Sequence, residues 1–348
     1  MKHLPLLALL FPLLAHAHPD HGTAPGADVQ SPVVTGNGAW TFEAVPGWGK
    51  LPEGKALGPT HGSVLVGPDE KVYFSTESDL AIIVWDKEGN FVKAIAPDCQ
   101  GFHAMAIREE DGKTVLYGAQ NNGSGNAERK KKGLPTTPFR VCKIDTDGKL
   151  LLEIPNAATG QVPGGWGGLT AVTVAPDGSI FAAMGYGSQL IHKFDATGKI
   201  LKTFGGKGKG DGQFNTCHGL AIDTRFGEPR LLVADRENRR LCHLDLEGGW
   251  IGVHATNLRR PCSFSFHGEH LGVAELEARV TILDKNGAPV AFLGDNPNKA
   301  QWANFKVKPE EQHLGIFTAP HGLGFSPTGD LYVQDWNISG RITKLRKK

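Results

Sequence analysis

The sequence has almost no excess charge of either sign: 37 Lys+Arg stand against 36 Asp+Glu. Without a net field there is no electrostatic basis for capturing nucleic acid or an anionic membrane, and neither is an expected partner. No long segment repeats its apolar residues at a helical period, which argues against a helical bundle. The five cysteines include no CxxC pair, so a structural zinc knuckle is not expected. Their odd number leaves at least one outside any intrachain disulfide. Beyond the first 17 residues no apolar run approaches the roughly 18 residues of a membrane-crossing helix, so no membrane span is expected.

What is present points to an exported all-β chain. Lys2 and His3, the apolar stretch Leu4 to Leu14 and the small-residue box Ala15-His16-Ala17 read as a signal peptide over residues 1–17. A secreted or periplasmic location follows, and residues 18–38, rich in His, Pro and Gly, read as a flexible segment. The chain has 46 Gly and 22 Pro, the punctuation of many short strands joined by tight turns. Cys142 and Cys242 lie in strand patterns, where small buried hydrophobes are expected.

One pattern recurs six times over residues 39–348: an opening such as His218-Gly219-Leu220-Ala221-Ile222, a turn, then three further strand-like segments. The openings fall at His61, His103, Thr170, His218, Cys262 and His321. Some are separated by about the 40–45 residues of a four-stranded propeller blade, others by longer stretches that imply loop insertions. A single blade cannot bury both sheet faces, so six blades are expected to stack around an axis and close. The last blade lacks a fourth strand, which Trp40 to Val45 can supply. A two-sheet sandwich does not explain the in-register repeat. The insertion from Asn121 to Phe139, with its run Arg129-Lys130-Lys131-Lys132, reads as a solvated loop.

In a propeller the first strand of each blade lines the central channel, so one repeat position becomes one ring of side chains. Four of the 14 histidines occupy it: His61, His103, His218 and His321. Neutral imidazoles converging on an axis suit Zn²⁺ or another divalent transition metal. His103, His218 and His321 belong to alternate blades and form the expected ligand set. His61 is a fourth ligand or a substrate contact. Cys262 is open to ligation or to pairing with Cys217. A small peptide or small-molecule ligand in the channel is the expected partner.

Several segments resemble NHL-repeat propellers, and most closely peptidyl-α-hydroxyglycine α-amidating lyase. The match rests on Cys217-His218-Gly219-Leu220-Ala221-Ile222, on Ala234-Asp235-Arg236-Glu237-Asn238, on Gly185-Tyr186, and on Phe102-His103 and Pro320-His321. It implies His103, His218 and His321 as zinc ligands, with Tyr186 and Arg236 catalytic. Three departures accompany it. The second family arginine is missing from Phe74-Ser75-Thr76-Glu77-Ser78-Asp79. Gly322 stands where the family places a Ca²⁺-binding Asp, so calcium is not expected. The family's disulfide partners are absent beside Tyr186, where Gly187 stands, and around Leu231-Leu232.

Two functions therefore compete. One is metal-dependent C–N cleavage of a carbinolamide with release of glyoxylate. The other is a non-catalytic ring holding a structural metal and binding a ligand or protein, since fold alone does not fix function.

Overall fold

The computed structural model of the protein describes residues 32–348, apart from residue 122. The stretch 1–17 read as a signal peptide and most of the segment after it lie outside the described residues. Residues 33–348 form one compact unit. It is a six-bladed β-propeller of six antiparallel sheets.

Blades one to five each contain four strands in sequence order. Their inner strands are Val64–Val66, Phe102–Glu110, Ala171–Val174, Cys217–Asp223 and Pro261–His267, and that of blade six is Pro320–Phe325. Each inner strand packs on the next, and blade six packs back onto blade one. The ring closes as the sequence implies: Trp40–Val45 pairs antiparallel with the last strand, Arg341–Lys347. Closure goes one strand further than expected. Val34–Asn37, inside the segment read as flexible, pairs with Trp40–Val45 and makes blade six five-stranded.

The core lies between blades, as apolar faces that one sheet cannot bury alone. Leu231, Val233, Cys242 and Leu244 of blade four pack against Phe181, Ala183 and Ile191 of blade three. Trp48, Trp85, Phe74 and Tyr332 join blade one to the closing blade. Burying such side chains contributes about 1.5–3 kcal/mol each before the entropy of ordering the chain is set against it.

Two local expectations change. All five cysteines are free and buried, so Cys217 and Cys262 are not paired. The insertion after blade two's second strand contains a nine-residue helix, Gly123–Lys131, where a loop was expected. Asn126 ties it to the returning chain: its carbonyl oxygen accepts from the Thr137 backbone N–H (2.8 Å) and its amide donates to the Thr137 carbonyl (3.0 Å). Arg129, Lys130 and Lys131 fall in the last turn, where the helix dipole favours positive charge.

Candidate metal centre

The inner strands of blades two, four, five and six share a defect at their first turn of pairing. Register shifts fall between Phe102 and Ala104, Cys217 and Gly219, Pro261 and Ser263, and Pro320 and Gly322. The residue at each β-bulge is His103, His218, Cys262 or His321. A bulge leaves its extra residue outside the ladder and re-aims the side chain. Here all four are buried around the channel.

Three imidazoles are then locked in the same way. The Nδ1 atoms of His103, His218 and His321 lie 2.6, 3.0 and 2.8 Å from the carbonyl oxygens of Thr170, Cys262 and Gly62. Each acceptor belongs to the following blade: blades two, four and six bond to blades three, five and one. A carbonyl only accepts, so Nδ1 carries the hydrogen and Nε2 keeps its lone pair. Ring centroids among these three lie 4.6–4.9 Å apart.

The same pattern corrects the place of His61. The carbonyl serving His321 belongs to Gly62, so Gly62 and not His61 holds blade one's register position. His61 reaches the cluster from one residue outside the register. Its ring lies 4.5 Å from that of His321 and 4.7 Å from that of His103, and it stacks on Trp336 at 5.1 Å.

Tyr186 enters from the turn after blade three's second strand. Gln189 pins that turn: its amide donates to the Gly185 carbonyl (2.7 Å), and its oxygen accepts from the Thr216 N–H (2.6 Å). Gly185 is required, because a Cβ there would lie 2.3 Å from the Cys217 carbonyl oxygen of the next blade. Tyr186 as a whole is 39% exposed, but its hydroxyl is surrounded by the imidazoles. The hydroxyl lies 2.9, 3.2 and 3.4 Å from the Nε2 atoms of His218, His103 and His61, and Arg236 Nη1 donates to it at 3.2 Å. Arg236 Nε is held by Glu237 (2.9 Å), which Arg260 also grips (2.6 Å).

One phenol hydrogen cannot satisfy three nitrogen lone pairs. His321 Nε2 is buried with no hydrogen-bond partner at all. Burial holds His61, His103, His218 and His321 well below the usual histidine range, with the Arg236 charge adding to it. The cluster is therefore uncharged at neutral pH and rich in lone pairs. A dication answers that chemistry. Donor atoms lying within 4.8 Å of one another form two sets sharing His321: His61, His103 and His321, and His218, Cys262 and His321. Neither contains a carboxylate.

Two spaces lie near the cluster. A cavity of about 140 Å³ is lined by its buried members together with Val64, Met105, Leu220 and Phe264 among others. A cleft of about 700 Å³ is lined by Trp336, Phe305, Ile338 and residues of the helix Gly123–Lys131. That volume suits a small ligand. The cleft was not legible in the sequence, because it depends on the helix folding over blades one and six.

No family model matches the chain. Among solved structures it is similar to a streptogramin B lyase, at 16% identity and a TM-score of 0.54, over 90% of this chain and all of that one. It is similar to virginiamycin B lyase from Staphylococcus aureus, at 16% identity and a TM-score of 0.54, over 84% and 96%. It is also similar to the PQQ-bound aldose sugar dehydrogenase of Streptomyces coelicolor, at 13% identity and a TM-score of 0.53, over 91% and 99%. At these identities the likeness is one of fold, a β-propeller that carries enzymes of more than one reaction class.

Proposed function

We propose that the protein is exported, holds a divalent transition metal, zinc first among them, on His103, His218 and His321, and cleaves the C–N bond of a small carbinolamide. The observation that supports this most is the shared Nδ1-to-carbonyl bond, which leaves Nε2 of each ring free for an ion, with His321 sharing one close donor set with His103 and another with His218. When bound, the metal would supply Lewis acidity to the substrate hydroxyl.

The remaining work belongs to the protein. Cleavage of an α-hydroxyglycine amide moves one proton from the substrate hydroxyl to the departing amide nitrogen, leaving glyoxylate. Tyr186 is placed to relay it. Burial pushes its phenol up to about 12 although Arg236 draws it back, so it rests protonated and offers a hydrogen first. Arg236, steadied by Glu237, presents Nη1 beside that hydroxyl and suits a substrate carboxylate.

One observation favours the second reading, a binding ring with a structural metal. Where the family's second arginine would stand, Glu77, Ser78 and Asp79 line the cleft, and among the described residues its basic lining comes from Arg129, Lys131 and Lys132 of the helical insertion. Incubation of metal-loaded protein with a peptidyl-α-hydroxyglycine separates the two. Glyoxylate above the metal-free control is expected; stoichiometric metal without glyoxylate would favour the binding ring.

A further inference from the structure

We infer that Cys262 is a thiolate ligand of this centre, so that the ion is held by sulfur as well as by imidazole nitrogen. The inference rests on the metal reading above and extends it to a residue outside the three-histidine set.

Cys262 occupies in blade five the place that His103, His218 and His321 occupy in blades two, four and six, with the same register shift beside it. Blades one and three put Gly62 and Thr170 at that place. Thr170 spends its hydroxyl on the Cys217 carbonyl at 2.8 Å. Cys262 donates its S–H to the Arg260 carbonyl oxygen at 3.6 Å, a bond that a weak donor gives up at little cost. It is 1% exposed, so solvent does not reach it.

The donor geometry agrees. Sγ of Cys262 and one ring nitrogen each of His218 and His321 already lie within 4.8 Å of one another. Independently, His321 Nε2 is buried at 2% exposure, belongs to this set and has no partner. The Cys262 carbonyl is also the acceptor that orients His218, so one residue would supply a ligand and fix its neighbour's tautomer. Burial raises the Cys262 thiol, and Arg236, which reaches the sulfur, offsets that rise only in part.

A thiolate narrows the choice of ion. Hard, oxygen-seeking Mg²⁺, Ca²⁺ and Mn²⁺ are disfavoured, and Zn²⁺, Co²⁺ and copper are favoured. Four protein donors still admit a substrate oxygen if the ion expands to five-coordination, as catalytic zinc does. His61, outside the register and stacked on Trp336, is then left to face the cleft.

The test uses the full chain loaded with Co²⁺. The wild-type protein is expected to bind one equivalent and to show an intense near-ultraviolet sulfur-to-cobalt charge-transfer band. Cys262→Ser is expected to lose the band and at least the ~10–100-fold in affinity that weaker perturbations of such sites cost. X-ray absorption of the Zn²⁺-loaded wild type needs no variant and should show a sulfur neighbour at about 2.3 Å beside nitrogens at about 2.0–2.1 Å. One equivalent of metal with no charge-transfer band and a nitrogen-only shell would overturn the role of Cys262 and leave the histidine centre standing. Failure to bind Co²⁺ or Zn²⁺ would overturn both.

Discussion

Two groups of histidines sit in this propeller at almost the same spacing, and they are opposite in chemistry. On the channel axis, His103, His218 and His321 give Nδ1 to the backbone and leave Nε2 facing inward. Toward the other end of blade four, the His243 and His254 rings are 4.5 Å apart, closer than most pairs on the axis. There the Nε2 of His243 is taken by Asp223 at 3.0 Å, and Asp223 is gripped by Arg225 at 2.7 and 2.9 Å. Burial pushes the Asp223 carboxyl up, but the Arg225 and His243 hydrogen bonds outweigh it and hold it well below the usual range. One group is a set of lone pairs with no carboxylate among them; in the other, Asp223 and Arg225 close His243 and leave only His254 Nε2 unpartnered. Clustering of rings alone does not distinguish the two. The number of open ring nitrogens and the neighbouring charge do.

That contrast can be broken experimentally. The largest effect belongs to the axis: His321→Ala or His218→Ala should abolish metal retention through dialysis against a chelator, read by elemental analysis, while His243→Ala leaves metal content unchanged. Next, Tyr186→Phe should keep the metal and lower glyoxylate release by about 10²–10⁴-fold, the usual worth of a positioned proton donor. In the closed network, Asp223→Ala strands a buried Arg225 and should cost about 3–5 kcal/mol in denaturant unfolding with metal content intact. Acid should act on histidines of every kind. His192 and His254 are held down to about 4 by burial, so the unfolded chain takes up protons from about pH 6.5 downward while the folded one does not until about 4. The melting temperature should therefore fall as pH drops from 6.5 to 4, with no further loss from these groups below that. The smallest effect is at His254, whose Nε2 is buried without a partner. His254→Leu should change stability by no more than about 1 kcal/mol, in either direction, because it removes an unsatisfied polar atom along with the ring.

The sequence exposed the ring more readily than its details. Six openings in one register carried the fold, and three of them carried His103, His218 and His321 to the axis. The fourth misled by one residue. His61-Gly62 copies the dipeptide His218-Gly219, yet blade one starts its ladder at Val64 and Ser63, which moves Gly62 into the register. Bulge positions depend on cross-strand pairing, and a single strand's residues do not display it. The helix Gly123–Lys131 was hidden for a different reason: it opens on glycine, has few apolar residues and is held by Asn126 bonds to Thr137 that no periodicity announces. Val34–Asn37 was equally unmarked, being a short edge strand among Gly and Pro. Tyr186 and Arg236 were found through family resemblance, and the structure brings both to the same hydroxyl-centred point.

The central claim is that imidazoles from separate blades serve one ion on the channel axis. Anomalous diffraction at the zinc edge, from crystals of the metal-loaded protein, tests it directly. A single strong peak is expected on the axis, bonded to Nε2 of His103, His218 and His321, with none beside His243 and His254. An axis without a peak, or a peak at the outer pair, would contradict it.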